Sequence, residues 1–127
     1  MIRRTAAAAV AAAMLLTAGT ALPAAAGDGD EKIRRGGCSG SADWKLKVKP
    51  DDGRLEVEAE IDSNISGQTW RWRLSHNGSV SARGRKTTRG PSGSFDVERR
   101  MANLAGTDTF RLRATHGDQV CRGRISW

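Results

Sequence analysis

Residues 69–78 read TWRWRLSHNG, and this stretch decides the fold. Side chains alternate between the two faces of an extended strand, so the apolar residues share one face and the arginines share the other. The two groups are Trp70, Trp72 and Leu74 on one side and Arg71 and Arg73 on the other. Asn77–Gly78 follows, a pair typical of a tight β-hairpin turn because both residues tolerate positive φ angles. The stretch therefore predicts a half-buried strand that leads through a hairpin into a second strand.

The same period-two alternation recurs along the rest of the chain, with turn sequences at short intervals. It predicts seven strands, at residues 44–49, 54–62, 70–75, 79–86, 95–98, 110–114 and 121–127. No segment between them keeps a helical period of apolar residues. Seven short strands in a chain of this length fit an all-β fold, an antiparallel two-sheet sandwich.

The first 26 residues have the composition of an export signal. Two arginines, Arg3 and Arg4, precede an apolar run at residues 6–16 that is too short to span a bilayer. The small residues that follow favour cleavage between Ala26 and Gly27. We therefore predict a signal peptide at 1–26 and a secreted protein with no membrane span in its mature form. A retained membrane anchor is the alternative, and the shortness of the apolar run argues against it.

The mature chain divides at its first cysteine. Residues 27–37, GDGDEKIRRGG, are rich in glycine and charge, which predicts a disordered leader before a domain at 38–127. Cys38 and Cys121 are the only cysteines in the chain, and export makes a disulfide bond their expected state. Two free thiols or a bridge between chains are the alternatives. The whole chain carries a formal net charge of +7.

Residues 104–110, LAGTDTF, resemble the E–F corner of fibronectin type III and related immunoglobulin-like domains. In that corner a leucine precedes the strand F aromatic by six residues, as Leu104 precedes Phe110, with a Gly-Thr step between them. The family aromatic is usually a tyrosine whose hydroxyl bonds back to the corner, and this chain has no tyrosine, so that bond is absent. Trp70 or Trp72 is similar to the buried tryptophan of strand C in these domains.

The resemblance also implies an order for the seven strands, named A, B, C, C′, E, F and G along the chain. Strand A lies beside B, and C, F and G are neighbours with F in the middle. Strands A and G start at the same end of such a sandwich, which places Cys38 near Cys121. Because this fold hosts many unrelated functions, the resemblance implies a fold and leaves the function open.

In that order, the outward positions of strands C, F and G hold arginines and no acidic residue. They are Arg71, Arg73, Arg111, Arg113, Arg122 and Arg124, and strand C′ adds Arg83 and Arg85 at its edge. Like charges facing each other across strands are unfavourable unless counter-charges arrive, and the arginine fork suits phosphate, sulfate and carboxylate. The hypothesis is that this face binds an anionic polymer of the cell envelope or extracellular matrix. A basic surface with no dedicated ligand is the competing interpretation.

Other function classes find less support in the sequence. The two histidines, His76 and His116, fall at turns on opposite ends of such a sandwich, so we expect polar turn residues and no enzyme active site. No metal ligand set, cofactor site or oligomer is expected. Four tryptophans raise the possibility of an exposed carbohydrate platform, although large aromatics in strands usually belong to the core.

Two further surface features have alternative interpretations. The acidic stripe on the second strand either binds calcium or pairs with the lysines of the first strand, and pairing is favoured. The stripe consists of Glu56, Glu58, Glu60 and Asp62, and the lysines are Lys45, Lys47 and Lys49. The loop at residues 86–94, KTTRGPSGS, is the candidate for a second class of function, a protein-binding or protease-inhibitor-type module.

Overall fold

Eight β-strands and no helix make up the computed structural model over residues 30–127, the part of the chain that it describes. The strands are β1 (Lys32–Gly37), β2 (Asp43–Asp51), β3 (Arg54–Asp62), β4 (Thr69–His76), β5 (Ser79–Thr87), β6 (Ser94–Ala102), β7 (Thr109–His116) and β8 (Gln119–Ser126). One sheet has the order β1-β2-β3-β6 and the other β5-β4-β7-β8, with every pair antiparallel. The predicted all-β, two-sheet fold is confirmed.

The structure does not cover all of the N-terminal segment for which the sequence made predictions. The signal peptide and its cleavage site between Ala26 and Gly27 lie outside the described residues, as do the first residues of the predicted leader. Across residues 30–127 the structure contains no helix long and apolar enough to cross a bilayer.

The prediction of a disordered leader through residue 37 is wrong for its second half, because Lys32–Gly37 forms β1. This strand pairs with β2 from Lys32 opposite Val48 to Gly37 opposite Asp43, which makes eight strands in place of seven. Alternating apolar side chains do not identify β1, since its residues are mostly exposed. Backbone hydrogen bonds to the edge of β2 hold it. The folded domain therefore begins before the first cysteine, near Lys32.

The core lies between the two sheets and is filled from every strand except β1 and β5. Its largest fully buried side chains include Trp70, Phe110, Leu46, Leu55 and Ile61. Trp70 is 0% exposed and Trp72 is 4% exposed. The apolar face of residues 69–76 therefore supplies the centre of the core, and these two tryptophans form no carbohydrate platform.

The two sheets are fastened along the side where β1 and β8 meet. The predicted disulfide between Cys38 and Cys121 joins residues 83 apart in sequence. Next to it the Trp44 indole lies between two glycines, Gly36 and Gly123, where an added Cβ would come within 2.7 Å of the ring. By chain entropy, a cross-link of this span stabilises the fold by about 4–5 kcal/mol. The disulfide is consistent with an extracellular, oxidising location.

On the opposite side, between β5 and β6, a side chain covers the core, whereas the β1 and β8 side has the disulfide. Arg99 of β6 occupies an inward position, and its guanidinium carbon lies 5.2 Å from the centroid of the Trp72 ring. The facing residues of β5 are small, since Gly84 pairs with Trp72 and Ala82 pairs with Leu74. The arginine therefore covers an indole that no apolar side chain of β5 reaches.

A buried hydrogen-bonded pair closes the end of the sandwich at residues 76 and 108. Asp108 is 0% exposed, and its Oδ1 lies 2.6 Å from the Nε2 of His76 and accepts a bond from the Leu104 N–H at 3.3 Å. The His76 ring also stacks on Phe110, with centroids 4.5 Å apart. The Asp108 carboxyl group thus joins the end of β4 to the loop before β7. His76 is a partner of this carboxylate, which its interpretation as a simple turn residue missed.

We expect His76→Phe to destabilise the fold by about 2–3 kcal/mol, because removing one partner leaves the buried Asp108 carboxyl group without this hydrogen bond. Phenylalanine keeps the stacking position on Phe110, so the loss reports the hydrogen bond. The control is His116→Phe, which removes only the exposed bond between Nδ1 and the Thr69 carbonyl at 2.8 Å and should cost about 1 kcal/mol. Urea unfolding of both variants measures the difference. Equal losses would show that the His76–Asp108 pair adds nothing special.

Candidate functional site

Strand pleating places eight arginines on the outward face of the sheet β5-β4-β7-β8. Along β4 the pattern is strict, since Trp70, Trp72 and Leu74 are buried while Arg71 and Arg73 are exposed. Strands β7 and β8 repeat it, and β5 adds two exposed arginines at the sheet edge. We call the set the arginine face: Arg71, Arg73, Arg83, Arg85, Arg111, Arg113, Arg122 and Arg124. All six site residues named from the sequence lie on it together with the two from β5.

The register of the sheet arranges the arginine face as four cross-strand pairs. The directly opposite residues are Arg71 and Arg85, Arg73 and Arg83, Arg113 and Arg122, and Arg111 and Arg124. Arg73 is also opposite Arg113, so one row of arginines crosses all four strands. Opposite residues lie about 4.8 Å apart, the spacing of neighbouring strands. Eight guanidinium groups therefore share one surface without intervening side chains of opposite charge.

No acidic residue occurs anywhere in the four strands of this sheet. Within residues 30–127 none of the eight arginines takes part in an ion pair, and the one arginine that does is Arg100 on β6, bound to Asp51 at 2.6 Å. Like charges directly opposite each other on a sheet are destabilising. The arginine face is thus an unneutralised concentration of positive charge.

On the outward face of the other sheet, lysine and glutamate side chains neutralise one another in ion pairs. Lys47 Nζ lies 3.2 Å from Glu58 Oε2, and Lys49 Nζ lies 3.7 Å from Glu56 Oε1. The hydrogen bond to Glu58 raises the pKa of Lys47 above its ordinary value, since it favours the charged ammonium. Lys45 likewise reaches Glu60 at 3.8 Å. The predicted lysine pairing is therefore confirmed for the acidic stripe, and no cluster of metal-binding side chains occurs within residues 30–127.

One carboxylate on that face has no lysine of its own. Glu98 of β6 lies opposite Glu58, and a hydrogen bond to Glu56 together with the charges of both glutamates raises its pKa. The folded protein therefore binds a proton at Glu98 more readily than the unfolded chain. Stability consequently falls as the pH rises from the ordinary glutamate range through the raised pKa.

The arginine face is shallow. Two depressions mark it, one of about 420 Å³ between β5, β4 and β7 and one of about 270 Å³ between β4, β7 and β8. Arg73 and Arg113 line both of them. Open hollows lined by guanidinium groups suit an extended ligand that lies along the surface better than a small molecule that needs enclosure.

The loop at residues 86–94, proposed as an alternative binding surface, is largely held in place by hydrogen bonds and packing. Lys86 and Thr87 end β5, and Thr88 is 1% exposed. The Thr88 hydroxyl donates to the Ile65 carbonyl at 2.6 Å and accepts from the Gln68 N–H at 2.9 Å. Gly93 packs against the same neighbouring loop, where a Cβ would collide with the Ile65 backbone. Lys86 and the tip at residues 89–92 are exposed.

Comparison with protein-family models, with curated proteins and with solved structures finds no match to this chain.

We expect Arg113→Gln to raise the free energy of unfolding by about 0.5–1 kcal/mol at low salt, because Arg113 faces arginines on both sides. The gain should shrink as salt rises, since the screening length falls from about 30 Å at 0.01 M to about 8 Å at 0.15 M. Arg54→Gln is the control, an exposed arginine opposite Asp51. Urea unfolding at both salt concentrations measures the effect. A loss of stability at low salt would show that the arginine face is not under repulsion.

We expect Glu98→Gln to stabilise the fold at pH 7, because the acidic neighbours Glu56 and Glu58 oppose a negative charge at this position in the folded protein. The gain should disappear near pH 3, where Glu98 is protonated whether folded or unfolded. Thermal melting at the two pH values measures the change. Asp118→Asn in the β7–β8 turn makes the same change of charge without acidic strand partners and should give no gain. A stabilisation by Glu98→Gln that is equal at both pH values would contradict the electrostatic origin.

Proposed function

We propose that this protein is a secreted, non-enzymatic binding module whose arginine face binds an anionic polymer of the cell envelope or extracellular matrix. The observation that carries the proposal is the row of arginines across four strands with no acid in any of them. Such a surface attracts polyanions over a long range and gains free energy when their charges replace water and counterions.

The distribution of lysine and arginine supports a dedicated surface. Lys45, Lys47 and Lys49 are bound by carboxylates of β3, whereas the arginines of the face have no carboxylate partner. Arginine is the side chain whose planar fork holds phosphate or carboxylate through two parallel hydrogen bonds, and lysine is a point charge. The side chains of the face therefore suit an external anion.

We also infer that the fold is of the fibronectin type III kind. The strand orders β2-β3-β6 and β5-β4-β7-β8 are the orders that the resemblance at residues 104–110 implies for A-B-E and C′-C-F-G. Strand β1 adds an edge strand beside A. This inference concerns architecture, and the function rests on the arginine face alone.

A protein-binding role through the loop at residues 86–94 is the second candidate. One observation favours it: Pro91 and the exposed tip at 89–92 are held on a rigid base by Thr88 and Gly93. A preformed loop loses little conformational entropy on binding. The two candidates predict opposite results when the face and the loop are changed separately.

Retention on an immobilised polyanion across a salt gradient tests the proposal. We expect Arg111→Glu/Arg113→Glu to elute at clearly lower salt than the unchanged protein, with the salt slope of log K reduced by about 1.5. The matched control is Arg35→Glu/Arg54→Glu, which changes the net charge equally and lies off both the face and the loop at residues 86–94. Equal shifts in both variants would mean that only the global charge matters, and the loop would then become the leading surface.

A further inference from the structure

The arginine face has a geometry as well as a charge, and the geometry points to one class of polymer. Two residues along a strand advance about 6.8 Å, so the pair Arg71–Arg85 lies that distance from the pair Arg73–Arg83. The pair Arg111–Arg124 lies the same distance from Arg113–Arg122. The four pairs therefore form two steps of about 6.8 Å, offset sideways by two strand spacings.

Because of this offset, the four arginine pairs follow a diagonal across the sheet. The first two pairs lie on β5 and β4, and the last two lie on β7 and β8, displaced toward the opposite strand ends. In an untwisted sheet with strands about 4.8 Å apart, Arg85 and Arg124 stand about 20 Å apart at the two ends of a diagonal. Beside each end pair the outward position on the neighbouring strand is uncharged, since Thr115 lies opposite Arg71 and Ser75 lies opposite Arg111. A flexible chain that follows the arginines must cross the sheet obliquely.

The step between pairs matches the repeat of a phosphodiester chain. Three backbone bonds of an extended peptide reach about 3.3–3.6 Å, so six single bonds span about 7 Å. Six bonds separate successive phosphorus atoms both in poly(glycerol phosphate) and in a nucleic-acid strand. A phosphodiester also has two unesterified oxygens that point in different directions, so one guanidinium from each side can hold it. A single fork instead holds a carboxylate end-on.

The aromatic side chains distinguish between the two phosphodiester polymers. Proteins that bind single-stranded nucleic acid stack bases on exposed aromatic rings. On the arginine face Trp70 and Trp72 are turned into the core, and Trp44 and Trp127 lie half-buried on the side where β1 and β8 meet. Phe95 and Phe110 are buried as well. The surface offers guanidinium groups for phosphates and no platform for bases.

We propose that the arginine face binds an extended polyol-phosphate chain, of the poly(glycerol phosphate) type, with four successive phosphates held by the four arginine pairs. The inference rests on the proposed function and adds the ligand class, the footprint and the direction of the chain. The middle step between Arg73–Arg83 and Arg113–Arg122 is about 9.6 Å across the sheet. Arginine side chains are long and flexible enough to cover this excess over one phosphate repeat.

Binding of synthetic oligo(glycerol phosphate)s of two to eight units, measured by calorimetry with the mature protein, tests this footprint. We expect the affinity to rise with each unit up to four phosphates and then to level off. For four contacts on a single-stranded polymer, raising the salt from 50 to 200 mM should weaken binding about 50-fold. In Arg71→Gln/Arg85→Gln the plateau should move to three phosphates and the salt effect should fall to about 20-fold. Arg35→Gln/Arg54→Gln, off both the face and the loop, is the control and should keep the original plateau.

Two comparison probes separate failure of this inference from failure of the proposed function. Tighter binding of oligo(dT) than of oligo(glycerol phosphate) with equal phosphates would overturn the polyol assignment in favour of nucleic acid. Equal binding of polygalacturonate at matched charge, or an affinity that keeps rising beyond four units, would overturn the phosphate footprint and leave the polyanion-binding function standing. No binding of any of the three probes above that of a face-reversed Arg111→Glu/Arg113→Glu protein would overturn both.

Discussion

The fastening of the two sheets along β1 and β8 is the constraint on which the rest of the structure depends. The Cys38–Cys121 bond joins the ends of the domain, and the Trp44 ring fits beside it only because Gly36 and Gly123 have no side chains. A cross-link of this span contributes about 4–5 kcal/mol by limiting the unfolded chain. Five directly opposite arginine pairs cost about 1–5 kcal/mol in total. The contribution of the bond is therefore of the size needed to offset the repulsion on the outward face of this sheet.

The sequence was sufficient to predict which side chains point outward, because the period of a strand is two and the apolar residues of β4, β7 and β8 mark the buried face. It was not sufficient to predict which arginines stand opposite one another. Arg73 and Arg113 are opposite through pairing of strands that are far apart in the chain, and a register shift lies between Leu74 and Ser75. Register depends on turns, irregularities and core packing together. The candidate residues came from the pattern, and the four pairs required the structure.

Two other features were not predicted from the sequence, for related reasons. Strand β1 has glycines and charged residues where strands usually alternate, so its pairing with β2 depends on backbone groups that every residue has. The pair His76–Asp108 joins residues from separate turns, and neither is unusual for a turn.

The charges on the outward face of one sheet are paired within the molecule and those on the other are not. This difference affects the free energy of binding a polyanion. On the first sheet the lysines find their counter-charges inside the molecule, so a polyanion would have to compete with Glu56, Glu58 and Glu60 for them. On the arginine face no internal carboxylate must be displaced. Repulsion raises the free energy of the unbound state and is relieved by an arriving polyanion, so the same arrangement that costs stability alone contributes to affinity. A surface of this kind is stable when the fold is cross-linked elsewhere and selective for ligands whose charges repeat at its own spacing.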